Sequence, residues 1–138
     1  MIPPFPKETH TMPSTADLKF TDSHEWFRVE GDVVTVGITQ FAANELTDVT
    51  FVQMKGPGTA VAKGTSLGEV ESVKTTSDVY SALSGTITEV NPAVSSDASL
   101  VNSDPFGRGW LVKLKATDLT ALAGLMNAAA YDAKHPVQ

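Results

Sequence analysis

The stretch Ser66–Val90, SLGEVESVKTTSDVYSALSGTITEV, decides the fold. Leu67–Val73 alternates as a half-buried strand does, with Gly68, Val70 and Ser72 on one face and Glu69 and Glu71 on the other. A turn over Lys74–Asp78 returns the chain through a second strand at Val79–Leu83. Ser84-Gly85 turns it again, and Thr86–Val90 resumes the alternation. Lys74 therefore sits at the tip of a hairpin, followed by the small hydroxyl residues Thr75, Thr76 and Ser77. From the residues alone, such a lysine is either an ordinary surface side chain in a polar turn or one held out for an enzyme that must reach its ε-amine. Glu69 and Glu71 could form an acid–base pair, but a solvated strand face on an acidic protein is the commoner meaning of that pattern.

Upstream, Lys19–Phe20 opens the first ordered stretch. Trp26–Val29, Gly31-Asp32 and Val33–Val36 spell a hairpin in which glycine supplies the positive φ of a tight turn. Thr39 is placed to cap a short helix over Gln40–Leu46, with Phe41, Ala42 and Leu46 near one face. Val49–Met54 reads as a strand buried largely on both sides, and Lys55-Gly56-Pro57-Gly58 and Ala62-Lys63-Gly64 are breaks. Downstream, 91–108 reads as an irregular connection, Trp110–Leu114 as a last strand, and the region after Thr117 as a capped helix with Leu119, Leu122, Leu125 and Met126 in one stripe, divided at Gly124. Trp26 and Trp110 read as core aromatics, and His24 as a surface strand residue or a partner contact. Many short strands with regular turns imply a β-sandwich or flattened barrel, with the C-terminal helix protecting an open face or edge. Residues 1–15, MIPPFPKETHTMPST, hold four of the eight prolines and read as a disordered leader, either an expression scar or an extension upstream of a start at Met12. Residues 16–138 then form a single domain.

Composition removes several function classes. There are no cysteines, which excludes thiolate nucleophiles, thiolate zinc sites and iron–sulfur clusters. The three histidines, His10, His24 and His135, lie far apart in sequence, and no P-loop, GxGxxG, GxSxG or HExxH is present. A net charge of −6 repels phosphate backbones, so nucleic acid is not an expected partner. No apolar run approaches the ~20 residues of a membrane span. Nothing in the residues assembles a catalytic constellation.

From Asp17 to Tyr131 the chain resembles the glycine cleavage system H proteins, which are lipoyl carriers. The resemblance rests on ordered signals: Ser23-His24-Glu25-Trp26; Val36-Gly37-Ile38-Thr39; Glu45-Leu46; Phe51-Val52; the block Gly68 to Val79 around Lys74; Ser84-Gly85; Glu89-Val90-Asn91-Pro92; and Val101 to Trp110. Related biotin carriers place methionines on both sides of the lysine, and lipoyl domains of 2-oxoacid dehydrogenases place an acid just before it. Here the neighbours are Val73 and Thr75.

The resemblance implies a mainly β, barrel-sandwich hybrid fold (lipoyl/biotinyl-domain-like) with short C-terminal helices. It implies lipoic acid in amide linkage to Lys74 and no catalysis by the protein itself. The arm would take an aminomethyl group from the glycine decarboxylase (P protein) to the aminomethyltransferase (T protein) and be reoxidised by dihydrolipoyl dehydrogenase (L protein). A lipoate ligase or octanoyltransferase would install it. Matched residue by residue, a cleft sheltering the arm would involve Ser23, Glu25, Ile38, Glu45 and Asp78, with Glu25 suited to hold a protonated amine. At the position of Glu45 some relatives carry histidine. A monomer in the bacterial cytoplasm, or in the mitochondrial matrix of a eukaryote, would fit. The alternatives are a lipoyl relay to other enzymes and an unmodified interaction module of the same fold.

Overall fold

The computed structural model describes residues 18–116 and 119–134. The leader at 1–15, Thr117, His10 and His135 lie outside them. The described chain runs β1 (Lys19–Phe20), β2 (Glu25–Glu30), β3 (Val33–Ile38), α1 (Gln40–Leu46), β4 (Val49–Met54), β5 (Ala60–Val61), β6 (Ser66–Ser72), β7 (Thr76–Tyr80), β8 (Gly85–Val90), α2 (Pro92–Ser96), α3 (Leu100–Ser103), β9 (Val112–Ala116), a 3-10 turn (Leu119–Gly124) and α4 (Ala128–Lys134). Two antiparallel sheets result, one in the order β1-β2-β3-β9-β8-β5 and one in the order β4-β6-β7.

The β2–β3 hairpin turns at Gly31, whose φ of +67° is open to glycine without strain. Its register sets Trp26 opposite Gly37. A Cβ on Gly37 would lie 2.6 Å from the Trp26 ring, so only glycine leaves room for the indole. Thr39 does cap α1, its hydroxyl accepting from the Ala42 N–H at 3.2 Å. The helix buries Ala43 and Leu46, one step round from the expected Phe41–Ala42–Leu46 face. The main core lies between the sheets and includes Phe27, Val34, Val36, Val52, Leu67, Val70, Ile87 and Leu114. A second cluster joins Leu18, Phe20, Trp26 and Tyr131.

The C-terminal segment protects a sheet edge, as its position after the last strand suggested. Phe20 and Met126 exchange backbone hydrogen bonds of 2.8 and 3.1 Å along β1, and the Tyr131 ring stacks on Phe20 at 4.8 Å. Gly124 ends the 3-10 turn and so divides this region in two. Leu122 is buried while Leu119 is exposed, so the expected stripe is only partly used.

Several expectations need correction. β4 is not buried on both sides. Its register shifts between Val49 and Phe51, which puts Val49 and Val52 inward at a spacing of three and leaves Phe51 49% exposed. The turn after β6 is tighter and earlier than Lys74–Asp78, because β7 already pairs at Thr76, opposite Glu71. The connection 91–108 contains α2 and α3; Asn91 caps α2 through the Ala93 N–H, and Pro92 occupies its first turn. The last strand starts at Val112, two residues late, and Trp110 is only half-buried, with the Lys113 ammonium 5.1 Å above its ring. His24 is not in a strand; it sits just before β2 with φ at +73°.

Candidate functional site

The β6–β7 turn is built by one serine. The Ser72 N–H donates to the Thr75 carbonyl at 2.8 Å, and the Ser72 hydroxyl accepts from the N–H groups of Lys74 and Thr75, each at 3.1 Å. The side chain thus satisfies two turn donors that pairing cannot reach, and no glycine is needed. Lys74 is exposed at the apex, beside Val73 at 69% exposure. The Val73 N–H ties the turn to the Asp48 carbonyl at 3.1 Å. The lysine side chain leans toward the end of α1, where its Nζ donates to the Glu45 carbonyl at 3.2 Å. The C-terminal end of a helix presents carbonyls without intrahelical partners, so an ammonium is favoured there.

Glu45 also borders a cleft of about 120 Å³ between α1, the edge strand β7 and the turn before β2. Its floor is apolar, from Ile38, Ala42, Leu46, Val70 and Val79. Its rim is polar, from Ser23, His24, Glu45, Ser77 and Asp78. Apolar floor and acidic rim together suit an aliphatic chain with a polar or cationic end.

Four of the five residues matched to an arm cleft, Ser23, Ile38, Glu45 and Asp78, therefore meet in one place, within reach of Lys74. Glu25 adjoins them through Ser23. It is 1% exposed and borders a neighbouring depression that shares Ser23 with the cleft. Its carboxylate accepts from the Thr21 and Ser23 hydroxyls and from the Tyr80 N–H.

His24, Ala42, Leu46, Val70, Ser77 and Val79 complete the lining without having been singled out for it. Strand alternation back from Val79 to Ser77, with Ser77 paired to Val70, carries the signal for those three. His24 is held from far along the chain. Its Nδ1 lies 2.8 Å from the Tyr131 hydroxyl, which also hydrogen-bonds the Thr39 hydroxyl at 2.7 Å. Burial pushes the Tyr131 phenol up to about 12, against the lowering effect of Thr39.

The family profile described as glycine cleavage H-protein matches residues 18–136. The chain belongs to that family. Its members are lipoyl carriers of the glycine cleavage system and not catalysts. The chain is 48% identical over 118 residues to the glycine cleavage system H protein of Symbiobacterium thermophilum, covering 86% of this chain and 92% of that relative. It is also 48% identical over 118 residues to the H protein of Nitratidesulfovibrio vulgaris, covering 86% and 91%. The crystal structure of a glycine cleavage system H protein from Mycobacterium marinum superposes with a TM-score of 0.80 at 39% identity, covering 88% of this chain and 98% of that one. The two-sheet fold with short helices is thus that of an H protein, a lipoyl-domain-like barrel-sandwich. Among the described residues no helix is long and apolar enough to cross a membrane.

Proposed function

We propose that Lys74 is the lipoyl attachment site of this H-family chain and that the α1–β7 cleft shelters the arm's loaded end. The observation that carries this reading is the placement of one exposed lysine at the apex of a serine-locked turn, its Nζ at the rim of an amphiphilic cleft. When bound, the lipoyl group supplies the sulfur chemistry that carries the one-carbon unit and its amine. The chain supplies position and exclusion of water. The tight turn fixes the base of the arm against two strands, which limits where its far end can travel. Acylation of Lys74 removes the ammonium charge and leaves a single N–H donor, weakening the tether to Glu45 and freeing the arm to move. Ile38, Ala42, Leu46, Val70 and Val79 offer the arm an apolar seat, and the carboxylates of Glu45 and Asp78 at its rim favour a protonated amine over a neutral end.

The partners on this reading are the glycine decarboxylase, the aminomethyltransferase and dihydrolipoyl dehydrogenase, with a lipoate ligase or octanoyltransferase installing the arm. The net charge of −6 would steer the chain toward basic entrances in a salt-sensitive way. A monomer in the cytoplasm fits a carrier that must visit several enzymes. Glycine–bicarbonate exchange by the decarboxylase tests the function. The lipoylated chain should support exchange and Lys74→Arg should not. Exchange supported by Lys74→Arg would sink the attachment site, and no exchange with the lipoylated wild type would favour a lipoyl relay.

A further inference from the structure

The turn that carries Lys74 leans on one corner of the molecule, the link 47–48 between α1 and β4. The Val73 N–H donates to the Asp48 carbonyl at 3.1 Å, and the Lys74 Nζ to the Glu45 carbonyl at 3.2 Å. Glu45 and Leu46, which lead into the corner, also line the cleft. The base of the turn and one wall of the cleft are therefore referred to the same short piece of backbone. That piece is strained. Thr47 has φ at +64° and ψ at −135°, close to the first central position of a type II′ turn, where glycine is favoured. A β-branched residue in that region persists only where its surroundings hold it there.

Asn102, in α3, holds it with both ends of its side-chain amide. Its Oδ1 accepts from the Val49 N–H at 2.8 Å, on the β4 side of the corner. Its Nδ2 donates to the Thr47 carbonyl, at the corner itself, and to the Ala43 carbonyl at 3.2 Å, in the last turn of α1. The Asn102 backbone carbonyl accepts from Gln40 Nε2 at 3.1 Å, at the other end of the same helix. One residue of α3 thus supplies partners to backbone groups that a bent corner and a helix end leave outside regular pairing. The amide is suited to this because it offers an acceptor and two donors at once. Asn102 does not line the cleft, so it acts through the backbone it holds.

We infer that Asn102 is a positioning residue for the lysine that bears the arm: its amide clamps the strained corner 47–48, and the clamped corner fixes the base of the Lys74 turn through the Asp48 carbonyl. Ser72 orders the turn from within; Asn102 places it against α1. This rests on the carrier reading for what it says about the arm, but the clamp is a property of the unmodified chain and can be tested there.

Two substitutions separate the clamp from general stability. Asn102→Asp keeps the acceptor for the Val49 N–H and sets an oxygen, in place of the donors, against the Thr47 and Ala43 carbonyls. Thr47→Gly, added to it, lets the corner take the same backbone angles without strain, so the clamp is no longer needed. Amide hydrogen exchange is measured on the unmodified wild type, Asn102→Asp and the double variant. The rate of lipoylation by a lipoate ligase is measured on the same chains, well below their melting midpoints. In Asn102→Asp, exchange at Val73 should speed up about tenfold while the β2–β3 amides keep their rates, and lipoylation should slow about fivefold. The double variant should return both to within about threefold of wild type. If Asn102→Asp does not fold, Asn102→Ala, which brings no charge to the carbonyls, is read in the same way. Val73 protection unchanged, or lost in step with the β2–β3 amides, overturns the clamp, and so does a double variant that is not rescued. Faster exchange at Val73 with an unchanged lipoylation rate overturns the positioning role. A wild type that the ligase does not modify counts against the carrier reading and leaves the exchange result to decide the clamp by itself.

Discussion

The molecule contains two hairpins of similar length with opposite uses. β2–β3 lies inside the six-stranded sheet, flanked by β1 and β9, and buries Trp26, Phe27, Val34 and Val36. β6–β7 lies at the end of the three-stranded sheet, with Glu69, Asp78 and Thr76 toward solvent and a lysine at its apex. The first turns on a glycine with positive φ; the second turns on the Ser72 side chain. The first hairpin is part of what the core is made of. The second adds Leu67, Val70 and Val79 to that core, but its apex is a display held by turn bonds and not by burial. A carrier needs both, because an arm's base can be held at a fixed point only if the sheet behind it does not yield.

That contrast predicts unequal responses to substitution. Trp26→Ala strikes the buried hairpin. It empties a fully buried indole site, removes the bond from Nε1 to the Pro105 carbonyl at 3.0 Å and strips the Arg28 guanidinium of the ring 5.0 Å below it. The expected cost is about 3–5 kcal/mol, read as a fall in the urea midpoint. A loss under 1 kcal/mol would mean that this hairpin is not the structural one.

Tyr131→Phe sharpens the comparison on the buried side alone, since the phenol ties His24 and Thr39, which flank the β2–β3 hairpin, to α4. Its two hydrogen bonds predict a loss of about 1–2 kcal/mol. The pH dependence gives a separate signature. The phenol's pKa is raised from 10.0 to about 12 in the folded chain, so above pH 10 the unfolded chain gives up this proton while the folded chain keeps it. The stability attached to that proton is full below pH 10 and is lost as pH rises through about 12. Denaturation midpoints should therefore fall less steeply over that window in Tyr131→Phe than in wild type; equal slopes would contradict the assignment.

Ser72→Ala is the smallest perturbation. It removes the acceptor of the Lys74 and Thr75 N–H groups in an exposed turn, where water can replace it, and should cost about 0.5–1 kcal/mol. Its effect on the rate of Lys74 modification should exceed its effect on stability. The reverse order would mean that the turn's rigidity is not used for display.

Local chemistry was legible in the sequence. Thr39 as a helix cap, Gly31-Asp32 as a hairpin turn and a lysine at the tip of the β6–β7 hairpin each follow from neighbouring residues, and the structure shows all three. The Asn91-Pro92 pair carries a helix-start signal at the head of a serine-rich stretch that otherwise reads as irregular. What could not be read was set by long-range packing. The shifted register in β4 turned Phe51 outward, and only its β6 partner fixes that shift. The four residues that share the cleft were reached through family resemblance, since no spacing brings Ser23 and Asp78 together. Glu25 is matched to the same cleft by the resemblance; its carboxylate bonds the cleft residue Ser23, Thr21 beside it and the Tyr80 N–H, a backbone group 55 positions away that no side-chain pattern announces.

The central claim is that Lys74 is the displayed and modified residue. Intact mass and peptide mapping after incubation with lipoate, ATP and a lipoate ligase, with Lys74→Arg alongside, test it most directly. The account predicts one lipoyl addition, on the peptide containing Lys74, and none on the variant. No addition to wild type by a ligase that modifies another H protein, or addition at a different lysine, would contradict it.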